Sequence, residues 1–105
     1  MAQVVWTEPA LADLDAIADY IAIESRRAAS ALVQRIFTHV DQLATHPESG
    51  SRPQEFARST RYRQIVEPPC RIFYRVDGER VLILHVMRSA RKLRASRLSR
   101  GDRSG

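Results

Sequence analysis

The chain has 105 residues, of which 44% are hydrophobic and 28% charged, a balance typical of one globular domain. No apolar run approaches the roughly 20 residues of a membrane span, and the first residues lack the pattern of a signal peptide, which predicts a cytoplasmic protein without a membrane partner. The single cysteine, Cys70, excludes an internal disulfide and is expected to be a small buried residue. With only three scattered histidines, we expect no metal and no cofactor.

Charge is distributed unevenly along the chain. Residues 1–50 carry three basic and seven acidic residues, whereas residues 51–105 carry fourteen basic and five acidic residues. Such asymmetry predicts a basic surface that meets nucleic acid or an acidic protein segment. Sixteen of the seventeen basic residues are arginine, whose planar guanidinium suits bidentate contact with phosphate or carboxylate.

The first half of the chain predicts a strand followed by two helices. Residues 3–6 read as a short strand, and Thr7 then offers an N-cap hydroxyl to a helix over residues 8–24. Ser25 caps a second helix that ends near Thr45, ahead of a proline. The short joint predicts an antiparallel helix hairpin. The buried stripe of the second helix is expected to be Ala28, Leu32, Ile36, Val40 and Leu43.

Three aspartates lie on the polar side of the first helix. Asp13, Asp15 and Asp19 could mimic a metal-binding cluster, but no other ligand-type residue converges on them in the sequence. We therefore expect a solvated helix face.

A proline- and serine-rich loop leads from the helices into three strands. These strands are expected at residues 62–66, 71–76 and 79–87, and Asp77-Gly78 is a strong signal for the turn between the last two. The predicted fold class is α+β in the order β-α-α-β-β-β, with an antiparallel meander at the end. The helix pair would cover one face of the sheet and leave the other partly open.

The domain is expected to end shortly after the last strand. We assign residues 1–96 to a single domain and residues 97–105 to a basic, flexible tail, because Ser, Arg, Gly and Asp dominate there.

Arginines alternate along two of the predicted strands, so that they share one face of the sheet. Arg61 and Arg63 do so on the first strand of the meander, and Arg71 and Arg75 on the second, with Phe73 between them. An aromatic ring among arginines could stack on a base or pack beneath the arginine stems. The alternative is an ordinary exposed strand face whose charges keep the sheet soluble.

Further candidates lie near the end of the chain. The segment after the last strand offers Arg88, Arg91, Lys92 and Arg94 as docking residues for a target or partner. His85 is a candidate general acid or base, with a satisfied or partly exposed strand histidine as the alternative. Glu67 could also act as a base, although an ion pair is expected.

Several segments, taken in order, resemble the RelE/ParE family of toxins. They are the opening Val5-Trp6-Thr7-Glu8-Pro9-Ala10 with Leu14, the helix stretch Ile17-Ala18-Asp19-Tyr20-Ile21, and the helix end at Leu43, His46-Pro47 and Gly50. The strongest match is the segment from Tyr62-Arg63 to Val76, followed by Val81–Arg88. The resemblance implies the toxin of a type II toxin–antitoxin system, held in a heteromeric complex by a cognate antitoxin. Such an antitoxin presents an acidic or amphipathic C-terminal segment.

The resemblance implies two possible targets. RelE-like members cleave messenger RNA on the ribosome, whereas ParE-like members inhibit DNA gyrase. Arg63 and Arg71 match basic positions of the nucleases, and His85, Arg88 and Arg91 complete the catalytic candidates for that activity. The late catalytic tyrosine or histidine of the nucleases has no match, and Lys92 is the only lysine. The resemblance therefore favours a non-enzymatic gyrase inhibitor linked to plasmid stabilization and growth arrest, with a ribosome-dependent mRNA endonuclease as the alternative.

Overall fold

A mixed β-sheet lies at the centre of the computed structural model, which describes residues 1–56, 61–91 and 93–104. The strands are β1 (Gln3–Trp6), β2 (Tyr62–Glu67), β3 (Cys70–Asp77) and β4 (Arg80–Arg88), and the helices are α1 (Glu8–Ala22), α2 (Arg26–Asp41) and α3 (Ala95–Ser104). The order across the sheet is β1-β4-β3-β2, with β1 parallel to β4 and the other pairs antiparallel. The predicted α+β fold and its antiparallel meander are confirmed.

The start of α1 is attached to the central strand β4. Thr7 occupies the N-cap position, but its hydroxyl does not cap the helix and instead donates to the carbonyl of Ile83 at 2.7 Å. The Thr7 amide also donates to that carbonyl, at 3.1 Å. Ala10 and Leu14 are buried in the core. These contacts fix α1 along β4, so that side chains on one side of α1 lie beside the end of that strand.

The second helix follows its predicted pattern with one shift. The Ser25 hydroxyl accepts from the amide of Ala28 at 3.1 Å, as expected for an N-cap. Ala28 itself is exposed and Ala29 takes its place in the buried stripe. Both alanines lie one turn before Leu32, and periodicity alone does not separate them. The rest of the stripe is buried as predicted: Leu32, Ile36, Val40 and Leu43.

The meander contains a tight turn and an irregularity. Gly78 has φ +59°, the left-handed conformation that the predicted hairpin turn requires. Phe73 pairs with His85 and Tyr74 with Ile83, so that Leu84 is an extra residue on β4. Such a bulge bends a strand and changes the direction of nearby side chains.

Both faces of the sheet are buried, which explains the uninterrupted apolar run at 81–84. The α1–α2 pair covers one face, whose core includes Ile65, Ile72, Tyr74, Val81 and Ile83. On the opposite face a second cluster joins the strands to the last part of the chain, and it consists of Phe73, Leu82, Leu84, Met87, Leu93 and Leu98. The expectation of a partly open second face is therefore wrong for this part of the sheet.

The end of the chain is helical and packed, which corrects the prediction of a tail from residue 97. Leu98 is 1% exposed, and Gly101 lies so close to the sheet that a Cβ atom there would come within 2.3 Å of the Leu84 carbonyl oxygen. Leu98 and Gly101 hold α3 against the sheet, although most of the residues of this helix are polar. The predicted boundary at residue 96 falls inside this helix. None of the described helices is both long and apolar enough to cross a membrane.

Candidate docking groove

A groove of about 780 Å³ opens between α1, the end of β4 and the segment that leads into α3. We call it the arginine groove. Its lining from α1 is Asp13, Ala16, Ile17 and Tyr20, and its lining from the later part of the chain is His85, Val86, Met87, Arg88, Arg91, Arg94 and Arg97.

Four arginines line the arginine groove at intervals of three residues: Arg88, Arg91, Arg94 and Arg97. Within residues 1–56, 61–91 and 93–104, none of the four forms an ion pair. The Arg88 guanidinium lies 4.4 Å from the centre of the Tyr20 ring, and Tyr20 is 60% exposed. Several uncompensated cations in one concave surface raise the local positive potential, so the groove attracts anions.

The lining of the arginine groove contains a partly buried acid–histidine pair. Asp13 Oδ2 lies 2.6 Å from His85 Nδ1 and also accepts from the Val86 amide at 3.2 Å. The carboxylate therefore orients the imidazole, with Nδ1 as the donor. The expectation of a solvated helix face is wrong for Asp13, whereas Asp15 and Asp19 are exposed as expected.

Arg71 is held by its own chain on the second face of the sheet. Its Nε and Nη2 donate to Gln64 Oε1 at 2.9 and 2.7 Å, and its Nη1 and Nη2 donate to the two oxygens of Glu55 at 3.0 and 2.8 Å. The guanidinium also lies 4.8 Å from the centre of the Phe73 ring. The hydrogen bonds from Arg71 lower the pKa of Glu55 from 4.5 to about 2. All the polar atoms of this side chain thus have partners within the chain.

Arg61 and Arg75 converge on a carboxylate from α3. Arg75 Nε donates to Asp102 Oδ1 at 2.8 Å, and Arg61 Nη2 donates to Asp102 Oδ2 at 3.2 Å. The Tyr62 hydroxyl donates to the same Oδ2 at 2.8 Å. These bonds tie the last helix to β2 and β3.

Arg63 and Phe73 also serve the fold. Arg63 Nη1 donates to the backbone carbonyls of Glu48 and Gly50 at 3.1 and 2.9 Å, which holds the loop after α2 against the sheet. Phe73 is fully buried. Arg63 pairs with Tyr74 and shares the α1–α2 face of the sheet with it, so the prediction that the strand arginines share one face is wrong for Arg63. Arg71 and Arg75 share the second face with Phe73, apart from the arginine groove, where His85, Arg88, Arg91 and Arg94 lie. Lys92 lies outside the described residues.

Glu67 and Cys70, two other residues considered from the sequence, have the structural roles expected of them. Glu67 forms the expected ion pair, with Arg35 Nε at 3.4 Å, and its other oxygen lies 3.1 Å from His39 Nδ1. Cys70 is fully buried as expected, and burial raises the pKa of its thiol. In the described part of the chain, no group of three or more histidine, cysteine, aspartate or glutamate side chains is placed to hold a metal ion.

Comparison with known proteins decides the family. The sequence model described as the ParE toxin of type II toxin-antitoxin system, parDE, matches residues 4–93. The chain belongs to this ParE toxin family. Toxin RelE2 of Caulobacter vibrioides is 44% identical over 91 residues, which cover 87% of this chain and 99% of that toxin. A solved structure of the chromosomal ParDE TA system from P. aeruginosa matches with a TM-score of 0.69 and 30% identity, over 84% of this chain and 96% of that chain.

The ParE match ends at Leu93, immediately before the residues that complete the arginine groove. Arg94 and Arg97 thus lie beyond the matched range. Sequence reasoning missed Asp13, Tyr20 and Arg97 as groove residues. The three-residue arginine spacing was a visible signal for Arg97, but nothing local marked Asp13 or Tyr20, which reach the groove only because α1 packs beside β4.

Proposed function

We propose that this ParE-family toxin arrests growth by binding DNA gyrase, without cleaving nucleic acid itself. The observation that carries the proposal is the bonding of Arg71. A nuclease needs its guanidinium available to the charge that develops on phosphate in the transition state. Here Arg71 donates to Glu55 and Gln64 and packs on Phe73, and the second arginine at a nuclease-like position, Arg63, donates to backbone carbonyls.

A supercoiling assay tests this proposal. Purified toxin is titrated into gyrase, ATP and relaxed plasmid, and we expect supercoiling to fall as the toxin saturates the enzyme. An Arg71→Gln variant, checked for folding by its urea midpoint, should inhibit as the wild type does once its concentration is corrected for any unfolded fraction. Unchanged supercoiling at saturating wild-type toxin would contradict the proposal.

One observation favours the alternative, a ribosome-dependent mRNA endonuclease. His85 is hydrogen-bonded to Asp13 in a groove lined by arginines, so an imidazole that is able to transfer protons lies beside guanidinium groups that are able to bind phosphate. A translating extract separates the two activities. If message is cleaved by the wild type and spared by a folded His85→Gln variant, the toxin is a nuclease that uses this pair. Intact message with both proteins removes the alternative.

The partner of a type II toxin is its cognate antitoxin, and we propose that it approaches the basic second half of the chain. An acidic segment is steered by the net positive charge of residues 51–105. The association rate, measured by stopped-flow mixing with the antitoxin encoded beside the toxin, should therefore fall as salt rises. A rate that is independent of salt would place the docking surface elsewhere.

A further inference from the structure

The four arginines of the arginine groove differ from several strand and turn arginines because their charges are not balanced by ion pairs in the described part of the chain. Arginines 61, 71, 75 and 80 each donate to a carboxylate of this chain, so their charges are compensated within the fold. Within the described residues, the four arginines of the groove form no ion pair, and Asp13 is the one carboxylate in its lining. That carboxylate is already bonded to His85 and to the Val86 amide. The groove thus presents about four guanidinium groups to an outside anion.

The placement of these arginines suits an extended polyanion. Arg88 ends a strand, Arg91 and Arg94 follow it in the connecting segment, and Arg97 lies in α3. The guanidinium groups therefore line one groove from three successive pieces of backbone. Guanidinium binds phosphate in a bidentate manner, and a nucleic acid repeats its phosphate at every nucleotide. An acidic peptide matches four cations only where it carries a run of carboxylates.

The groove also offers an aromatic surface. Tyr20 is 60% exposed at the groove, and Arg88 lies over its ring. A planar aromatic ring beside guanidinium groups is the usual platform for a base or sugar that follows a bound phosphate. Ile17 and Met87 line the same groove and add apolar contact.

We propose that the arginine groove binds the sugar–phosphate backbone of a nucleic acid, with the four arginines on phosphates and Tyr20 against a base or sugar. The inference rests on the proposed function in one respect: gyrase would supply the DNA, so that the toxin contacts both the enzyme and the DNA that it holds. DNA and RNA share the backbone chemistry, and the experiment distinguishes them.

The test measures fluorescence anisotropy of labelled probes with the full chain and without gyrase. The probes are a short DNA duplex, a single DNA strand and a single RNA strand of the same sequence. For about four phosphate contacts, the affinity for the duplex should fall about 150-fold between about 50 and about 200 mM salt, and that for a single strand about 50-fold. The double variant Arg91→Ala/Arg94→Ala keeps about two phosphate contacts, so its affinity for the duplex should fall only about 12-fold over the same range of salt.

A matched control removes the same charge elsewhere. Arg80 lies at the opposite end of β4 from the groove, paired with Asp77 at 3.1 Å, and Arg52 is exposed in the loop before β2. The variant Arg52→Ala/Arg80→Ala should keep the salt dependence of the wild type. Tyr20→Leu should lower the affinity for the single strands about tenfold and the affinity for the duplex by less, because only unpaired bases can stack on the tyrosine ring.

The outcomes separate the inference from the gyrase proposal. If the salt dependence of binding is reduced equally in the groove variant and in the control variant, the attraction is non-specific and the inference is overturned. Tighter binding of poly-glutamate than of all three probes would make the groove a peptide site and also overturn it. If the toxin inhibits gyrase but its groove variants bind DNA as the wild type does, the inference alone fails. If the groove binds nucleic acid and supercoiling is unaffected, the gyrase proposal alone fails.

Discussion

Replacing Glu55 by glutamine removes a charge that joins three parts of the fold. Glu55 accepts two hydrogen bonds from Arg71 on β3 and lies 3.3 Å from the amide of Leu93, which precedes α3. The variant keeps the size of the side chain but loses the ion pair. It therefore measures how strongly this pair holds the last segment of the chain against the sheet.

The pKa of Glu55 sets the magnitude and the direction of the effect. Its pKa is lowered from 4.5 to about 2, mainly by the hydrogen bonds from Arg71. At about 1.4 kcal/mol per pKa unit, the full shift would correspond to about 3 kcal/mol. The Glu55 side chain is 22% exposed, so water screens the pair and we expect about 1–2 kcal/mol. Because the folded pKa is the lower one, this stabilisation is present above pH 4.5 and disappears as the pH falls towards 2.

Urea unfolding followed by the fluorescence of Trp6 measures the difference. The free energy of unfolding of the wild type should exceed that of Glu55→Gln by about 1–2 kcal/mol at neutral pH, and this difference should disappear by about pH 2. Glu79→Gln is the matched control, because Glu79 is exposed near the hairpin turn. A gap that is the same at both pH values, or no larger than that of the control, would refute the role assigned to this pair.

Three further substitutions test other contacts by the same urea unfolding measurement. Gly101→Ala should destabilise the fold by about 1–3 kcal/mol, because the new methyl group would overlap the Leu84 backbone; a neutral effect would show that α3 is not seated there. Asp102→Asn should cost about 1–2 kcal/mol, because two arginines and a tyrosine lose a charged acceptor, and no loss would mean that α3 does not depend on this carboxylate. Tyr74→Phe should cost about 1 kcal/mol by removing the buried hydroxyl that accepts from the Gly50 amide at 2.9 Å, and an unchanged urea midpoint would show that this bond does not stabilise the fold.

Local patterns predicted the elements whose physical cause is also local. The serine cap of α2, its buried stripe beyond the first turn, and the Asp77-Gly78 turn all depend on residues close in sequence, and the structure confirms them. Thr7 shows the limit of such reasoning. Its position at the helix start was predictable, but its hydroxyl donates to Ile83, which is 76 residues away.

The features that sequence missed depend on distant contacts. α3 contains few apolar residues and packs on the sheet through Leu98 and Gly101. Gly101 contacts Leu84 at a strand bulge that no local sequence pattern predicts. Asp13 looked like any aspartate on a polar helix face until α1 was placed beside His85. The same holds for Arg61, Arg71 and Arg75, whose carboxylate partners, Glu55 and Asp102, come from other parts of the chain.

The parallel pairing of β1 with β4 has a consequence during synthesis. Gln3 lies opposite Arg80, so the first strand has no neighbour until the ribosome has made the last one. At about 5–20 residues per second, the ribosome needs about 4–15 s to synthesise the chain between Gln3 and Arg80, and β1 remains unpaired for that time. The strand that completes the sheet is also the one that carries His85 and Arg88 into the groove. The groove that these residues line therefore cannot form before β4 has been synthesised.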